Sequence, residues 1–214
     1  MTQIKKIAVV DYGMGNIFSV KHACEYLGAE VYLTSSKTDL LAADGVILPG
    51  VGSFGDAMQV LNRLDLVSVL RDIATMGKPL MGICLGIQLL MTESYEFGRH
   101  SGLKIIEGEV IRFENENKEK LFKVPHIGWN QIYAPKGRSW AKTPLECLNG
   151  EDFVYFVHSF YARPQDPNVI LSMSEYGGTP FCSSIQSGNV FGCQFHPEKS
   201  GPAGLKILKA FLNN

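Results

Sequence analysis

At 214 residues, 45% of them hydrophobic and 19% charged, the chain is long enough to bury a substantial core as one large domain or two small ones. A formal net charge of −1 argues against nucleic acid or an anionic membrane surface as the main partner. Five cysteines, an odd number with no CxxC pair, argue against a disulfide framework and fit a reduced, cytoplasmic compartment, and no apolar run is long enough to span a bilayer.

The first apolar run, Ile7-Ala8-Val9-Val10, follows a basic N-terminus as a signal peptide would, but it is short and meets Asp11 at once, so it reads as a first strand. Gly13 to Asn16 is a turn, and Ile17 to Leu27 a helix that Gly28 ends. Val31 to Leu33 and Val46 to Leu48 are predicted strands, the latter running into Pro49-Gly50-Val51-Gly52. Helical patterns cover Phe54 to Leu64 and Leu66 to Met76. A strand at Pro79-Leu80-Met81 and a helix at Ile87 to Met91 then flank Cys84. Such alternation predicts a mostly parallel central sheet with helices on both faces. The second half differs: Val110 to Phe113, Gln131 to Tyr133, Phe153 to Val157, Val169 to Met173, Phe181 to Ile185 and Val190 to Phe195 read as strands joined by turns. These predict an antiparallel extension, closed by a helix over Leu205 to Leu212. The expectation is a single α/β domain over residues 1–214, without linker or repeat, whose most flexible loop is the solvated polar run Glu114 to Lys120.

Gly82-Ile83-Cys84-Leu85-Gly86 places a cysteine between strand and helix with glycines two residues to either side. That is the pattern of a nucleophile elbow, a turn tight enough to favour residues without side chains. There the sulfur would stand near the positive end of a helix, which favours the thiolate, with the Leu85 N–H aimed at an attacked carbonyl. A buried cysteine between packing glycines gives the same pattern. A base is needed, and of His22, His100, His126, His158 and His196 the last stands out. It follows a strand, precedes Pro197, and has Glu198 two residues on, on the same side if the backbone is extended. His22 and His100 read as surface residues, and His-Pro-Glu could equally be a polar turn. Pro49-Gly50-Val51-Gly52 ends a strand expected beside that of Cys84, where its N–H groups could face an oxyanion; the lysine and hydroxyl of a phosphate loop are missing. Cys182, Cys193, His196 and Glu198 match no zinc spacing, so no metal is expected.

Gly82-Ile83-Cys84-Leu85-Gly86-Ile87-Gln88 and Phe195-His196-Pro197-Glu198 together resemble the class I glutamine amidotransferases. Within that family, Asp11 to Asn16, Leu48 to Gly55, Pro125 to Asn130, Tyr155 to Phe160 and His196 to Ser200 are similar to the glutaminase subunits of imidazole glycerol phosphate synthase. Ile87 stands where anthranilate and GMP synthase types usually carry His, and Phe160 where the family commonly has Tyr. The resemblance implies hydrolysis of glutamine to glutamate and ammonia, with Cys84 as nucleophile, His196 as proton shuttle and Glu198 as its orienting carboxylate. It implies an oxyanion hole from Val51, Gly52 and Leu85, and substrate contacts from Gly50, Gln88, Glu96, Ser159 and Phe160. It also implies a (β/α)8-barrel cyclase partner met by Asn16, Pro125, Ile127, Trp129, Tyr155 and Lys199, and no cofactor. Two other readings fit the motifs: a paralogous glutaminase feeding another synthase, such as a surface-polysaccharide sugar amidotransferase, and a non-catalytic subunit that keeps the fold.

Overall fold

The computed structural model describes residues 5–114 and 122–213. All of the polar run predicted as a flexible loop, Glu114 excepted, lies outside them. In chain order, β1 (Lys6–Val10), α1 (Ile17–Tyr26), β2 (Glu30–Thr34), α2 (Lys37–Ala42), β3 (Gly45–Gly50), α3 (Phe54–Arg63), α4 (Leu66–Thr75), β4 (Leu80–Cys84) and α5 (Leu85–Leu89) form the alternating half. The short strands β5 (Glu93–Ser94) and β6 (His100–Ser101) follow, then β7 (Gly108–Arg112), β8 (His126–Gln131), β9 (Phe153–His158) and β10 (Phe160–Pro164). The chain ends with β11 (Ile170–Tyr176), β12 (Thr179–Ser187), β13 (Val190–Cys193), a 3₁₀ turn at Pro197–Lys199 and α6 (Gly201–Asn213).

The central sheet has the order β11-β12-β13-β4-β3-β1-β2. The five strands from β13 to β2 are parallel, and β12 and β11 continue the sheet antiparallel. Alternate residues of each parallel strand feed two separate cores. Ala8, Val10, Val46 and Leu48 face α3, α4 and α5, whereas Ile7, Val9, Ile47, Met81 and Ile83 pack with α1 and α6. Burial on both faces is why these strands read as unbroken apolar runs. β10, β7, β5 and β6 form a second small sheet, and β8 and β9 a two-stranded ribbon.

Several elements differ from expectation. The strand expected at Gln131 to Tyr133 lies at His126–Gln131, and Tyr133 makes only an isolated bridge with Met173. Only one face of that ribbon is buried, and Gly128 interrupts its apolar pattern, so no hydrophobic run marked it. α2 went unpredicted because six residues carry too little periodicity; its signal is the Ser36 hydroxyl, which accepts from the Asp39 N–H at the N-cap. α5 starts directly after Cys84 and stops at Leu89, earlier at both ends than the pattern suggested.

Candidate active site

Sheet topology converges on the carboxyl end of β4. Gly50, the last residue of β3, is in register with Cys84, the last of β4. On the other side β13 pairs with β4 up to Cys193↔Ile83, so the chain leaving β13 delivers His196 to the same edge. Ligands bind at such edges in open α/β sheets.

Cys84 sits at φ 56°, ψ −106°, a backbone conformation costing a residue with a Cβ about 1–3 kcal/mol. The flanking glycines are steric necessities. A Cβ on Gly82 would come 2.8 Å from the Gly86 carbonyl, and one on Gly86 would overlap the Leu48 carbonyl oxygen of β3. The sulfur lies 3.8 Å from the Val157 carbonyl of β9 and 3.9 Å from Gln194 Nε2.

His196 Nδ1 is 2.9 Å from Glu198 Oε1, both side chains being buried. Sequence reasoning expected extended backbone to bring them together; instead the 3₁₀ turn at Pro197–Lys199 folds Glu198 back under the ring. The His196 N–H donates to Tyr155 O of β9 at 2.9 Å, and Ser200 Oγ, which donates to the His196 carbonyl, accepts from the Tyr155 N–H. Ring position is thus fixed by backbone contacts independent of the catalytic groups. Nε2 is buried without a hydrogen-bond partner among the described residues, which leaves it for chemistry. Burial works against charge on the ring, but Cys84 and Glu198 outweigh it and raise the His196 pKa to about 10. Both neighbours thus favour the protonated ring.

A cavity of about 300 Å³ opens over these groups, lined by Val51, Gly52, Cys84, Leu85, Gln88, Glu96, Pro125, Val157, His158, Ser159, Phe160 and His196. It therefore gathers all three expected oxyanion residues and four of the five expected substrate contacts. Gly50 does not line it: the residue is buried, and a Cβ there would come 2.6 Å from Tyr12 Oη. Glu96 Oε2 accepts the Phe54 N–H at 2.5 Å, capping α3 at the helix that follows the Val51–Gly52 loop. Burial raises the Glu96 pKa, and the Phe54 N–H opposes the shift. No lysine or arginine lines it, and Gln88 and Glu96 offer acceptors to a cationic ligand group.

Of the residues expected to meet a partner, Pro125 alone lines the cavity. Ile127 and Trp129 are exposed on β8, at 58% and 54%, with Tyr155 of β9 opposite Trp129 and the ring centroids 6.0 Å apart. Pro125 belongs to the cavity wall, Lys199 is exposed in the turn beside Glu198, and Asn16 is the N-cap of α1. The other face of the ribbon is buried: His126 stacks between Phe156 and Tyr176 at 4.9 and 4.0 Å. Among the described residues no cluster of three His, Cys, Asp or Glu could hold a metal, and no helix is long and apolar enough to cross a membrane.

Sequence reasoning missed the buried polar groups in and behind the cavity wall. Gln194, His126 and His158 are all nearly inaccessible, and a glutamine inside the apolar run Val190 to Phe195 was the available signal. The two histidines have a measurable consequence. Burial lowers the His126 pKa to about 4 and that of His158 to about 3. Unfolded, both take up protons near pH 6.5. Stability should therefore fall as pH drops from about 6.5 toward 4, because only the unfolded chain binds those protons. His196 has the opposite sign: its contribution is complete below pH 6.5 and is lost as pH rises through about 10, so it stays constant across the acid window. Urea unfolding at pH 7.5 and 4.5 should show a smaller acid loss for His126→Phe, which keeps the stacking, than for the parent; equal losses would refute the assignment.

The family described as glutamine amidotransferase class-I matches residues 8–214. The chain is 42% identical over 211 residues to imidazole glycerol phosphate synthase subunit HisH 1 of Legionella pneumophila strain Paris, covering 98% of this chain and 99% of that one. It is 48% identical over 206 residues to the HisH subunit of Bacillus cereus strain B4264, covering 96% and 93%. Among solved structures, a chain of PurLQS from Thermotoga maritima superposes with a TM-score of 0.73 at 24% identity, covering 99% of both chains, which bears on the fold alone.

Proposed function

We propose that this chain, which belongs to the class I glutamine amidotransferase family, is the glutaminase subunit of an imidazole glycerol phosphate synthase acting in histidine biosynthesis. The observation that carries this reading is the meeting of a strained Cys84, a buried His196–Glu198 pair and the acceptors Gln88 and Glu96 on one cavity. The match over residues 8–214 supports treating the whole chain as one such domain.

Catalysis follows from the geometry. The Cys84 thiolate adds to the side-chain amide carbon of glutamine, and the developing oxyanion takes N–H groups from Leu85 and the Val51–Gly52 segment. His196 gives its Nε2 proton to the amide nitrogen, the C–N bond breaks, and ammonia leaves behind a glutamyl thioester. Water then loses a proton to His196 and adds to the thioester, releasing glutamate and restoring the ion pair. Glu198 holds the ring and balances its charge throughout.

Ammonia is mostly protonated in neutral water and no longer nucleophilic, so a consuming site must be reached by a shielded path. Curated relatives are named as subunits of a synthase, which supports a partner subunit. That partner is a (β/α)8-barrel cyclase making imidazole glycerol phosphate and AICAR, docked on the exposed Ile127–Trp129 face, in the cytoplasm.

Glutamine hydrolysis without an acceptor is waste, and the Val51–Gly52 segment offers a switch. Gly52 stands at φ +93° and Val51 is 43% exposed, so a peptide here can rotate and carry the Val51 N–H away from or toward the oxyanion. Since one oxyanion donor is worth about 10²–10³ in rate, the isolated chain should be a poor glutaminase that the cyclase and its nucleotide acceptor stimulate by a similar factor. Glutamate production at saturating glutamine, with and without both, measures this. Full activity in the isolated chain would remove the switch, and stimulation by a sugar amidotransferase in place of the cyclase would reassign the partner.

A further inference from the structure

A line of buried polar groups runs along the cavity wall and ends at the nucleophile. Its polarity is set by one backbone carbonyl. Phe160 O can only accept, and it receives the His158 Nδ1–H at 2.9 Å and the Gln88 amide nitrogen at 2.8 Å. Since His158 Nδ1 donates, its Nε2 accepts, and the partner 3.1 Å away is His126 Nδ1. In the other direction, the Gln88 nitrogen has a second N–H, directed at Gln194 Oε1 at 3.1 Å. The Gln194 amide is thereby oriented as well: its oxygen faces Gln88, and its NH₂ faces the Cys84 sulfur at 3.9 Å. Each group leaves the next no choice, and Gln194 is fully buried, with these two partners setting its orientation.

We infer that Gln194 is a positioning residue for glutamine hydrolysis: it locks Gln88 with only its carbonyl oxygen facing the cavity, where that oxygen takes the α-ammonium group of the substrate, and it turns its own N–H toward the Cys84 sulfur. With both N–H bonds of Gln88 committed, this side chain cannot serve the substrate's α-carboxylate. Together with the Glu96 carboxylate it forms an acceptor pair for one cationic group. The inference rests on the glutaminase reading above.

Two variants separate the roles. Gln194→Met keeps length and burial but supplies neither acceptor nor donor. In complex with the cyclase, its KM for glutamine should rise about tenfold or more, the usual worth of a hydrogen bond to a charged group. Its preference for glutamine over the desamino analogue glutaramate should shrink by the same factor. Gln194→Glu keeps the acceptor for Gln88 but sets a negative charge beside the sulfur. It should hold KM near the parent value while shifting the pH profile of Cys84 alkylation by iodoacetamide upward, which a packing role alone would not do. Unchanged KM, analogue preference and alkylation profile in a folded Gln194→Met overturn the inference. Should that variant fail to fold, an unshifted alkylation profile in Gln194→Glu overturns it alone. A parent chain that hydrolyses no glutamine with any partner overturns the glutaminase reading itself.

Discussion

Cys84→Ala should abolish glutamine-dependent synthesis in the complex, with a loss on the order of 10⁶ in turnover, the scale seen when a hydrolase loses its nucleophile. The same complex supplied with ammonia should work at the parent rate, because Cys84 serves only amide cleavage. The substitution keeps a Cβ at φ 56° and so leaves the turn as it is. Assaying both nitrogen sources side by side is the check; loss of the ammonia-dependent reaction would make Cys84 structural. A glutamine-mimicking electrophile should label this residue selectively. Burial pushes the thiols of Cys24 and Cys182 up to about 12 and that of Cys193 well above its usual range, so these stay protonated and unreactive. Cys147, though exposed, does not line the cavity over Cys84.

His196→Ala should lower turnover in the complex by about 10²–10⁴, the usual contribution of general acid–base catalysis. Here one ring serves both steps, donating to the departing nitrogen and accepting from water. Glu198→Gln should be milder. The amide can still accept from Nδ1–H at the 2.9 Å spacing, and the ring stays anchored through Tyr155 and Ser200, but the imidazolium loses its counter-charge. The pH at which activity changes should also move down in Glu198→Gln, since the carboxylate is among the groups raising the His196 pKa. Equal losses for the two variants would contradict this division of labour.

Much of this was legible in the sequence. The elbow could be read because tight turns leave glycines at fixed offsets, and the parallel strands because burial on both faces makes continuous apolar runs. His196 and Glu198 were legible as a pair although the backbone joining them was not: a proline permits both extended chain and the first residue of a 3₁₀ turn, and tertiary contacts with β9 decide between them. β8 was misplaced by its half-exposed, glycine-interrupted pattern. The relay through Gln194 was out of reach for another reason. It joins residues 106 positions apart, Gln88 and Gln194, and only the pairing of β13 with β4 makes them neighbours. Hydrogen-bond polarity is a property of such neighbours, and no local pattern encodes it.

The left-handed backbone at Cys84 also sets the chain's tolerance to change. Glycine would occupy that position without strain, so the substitution that destroys the nucleophile most completely should leave a more stable molecule, by about 1 kcal/mol or more. Thermal robustness and glutamine cleavage therefore pull in opposite directions at this residue. Variants picked for melting temperature alone would drift toward losing the thiol, while Gly82 and Gly86, held by the Leu48 carbonyl and by each other, would persist in an inactive descendant as marks of the reaction once done there.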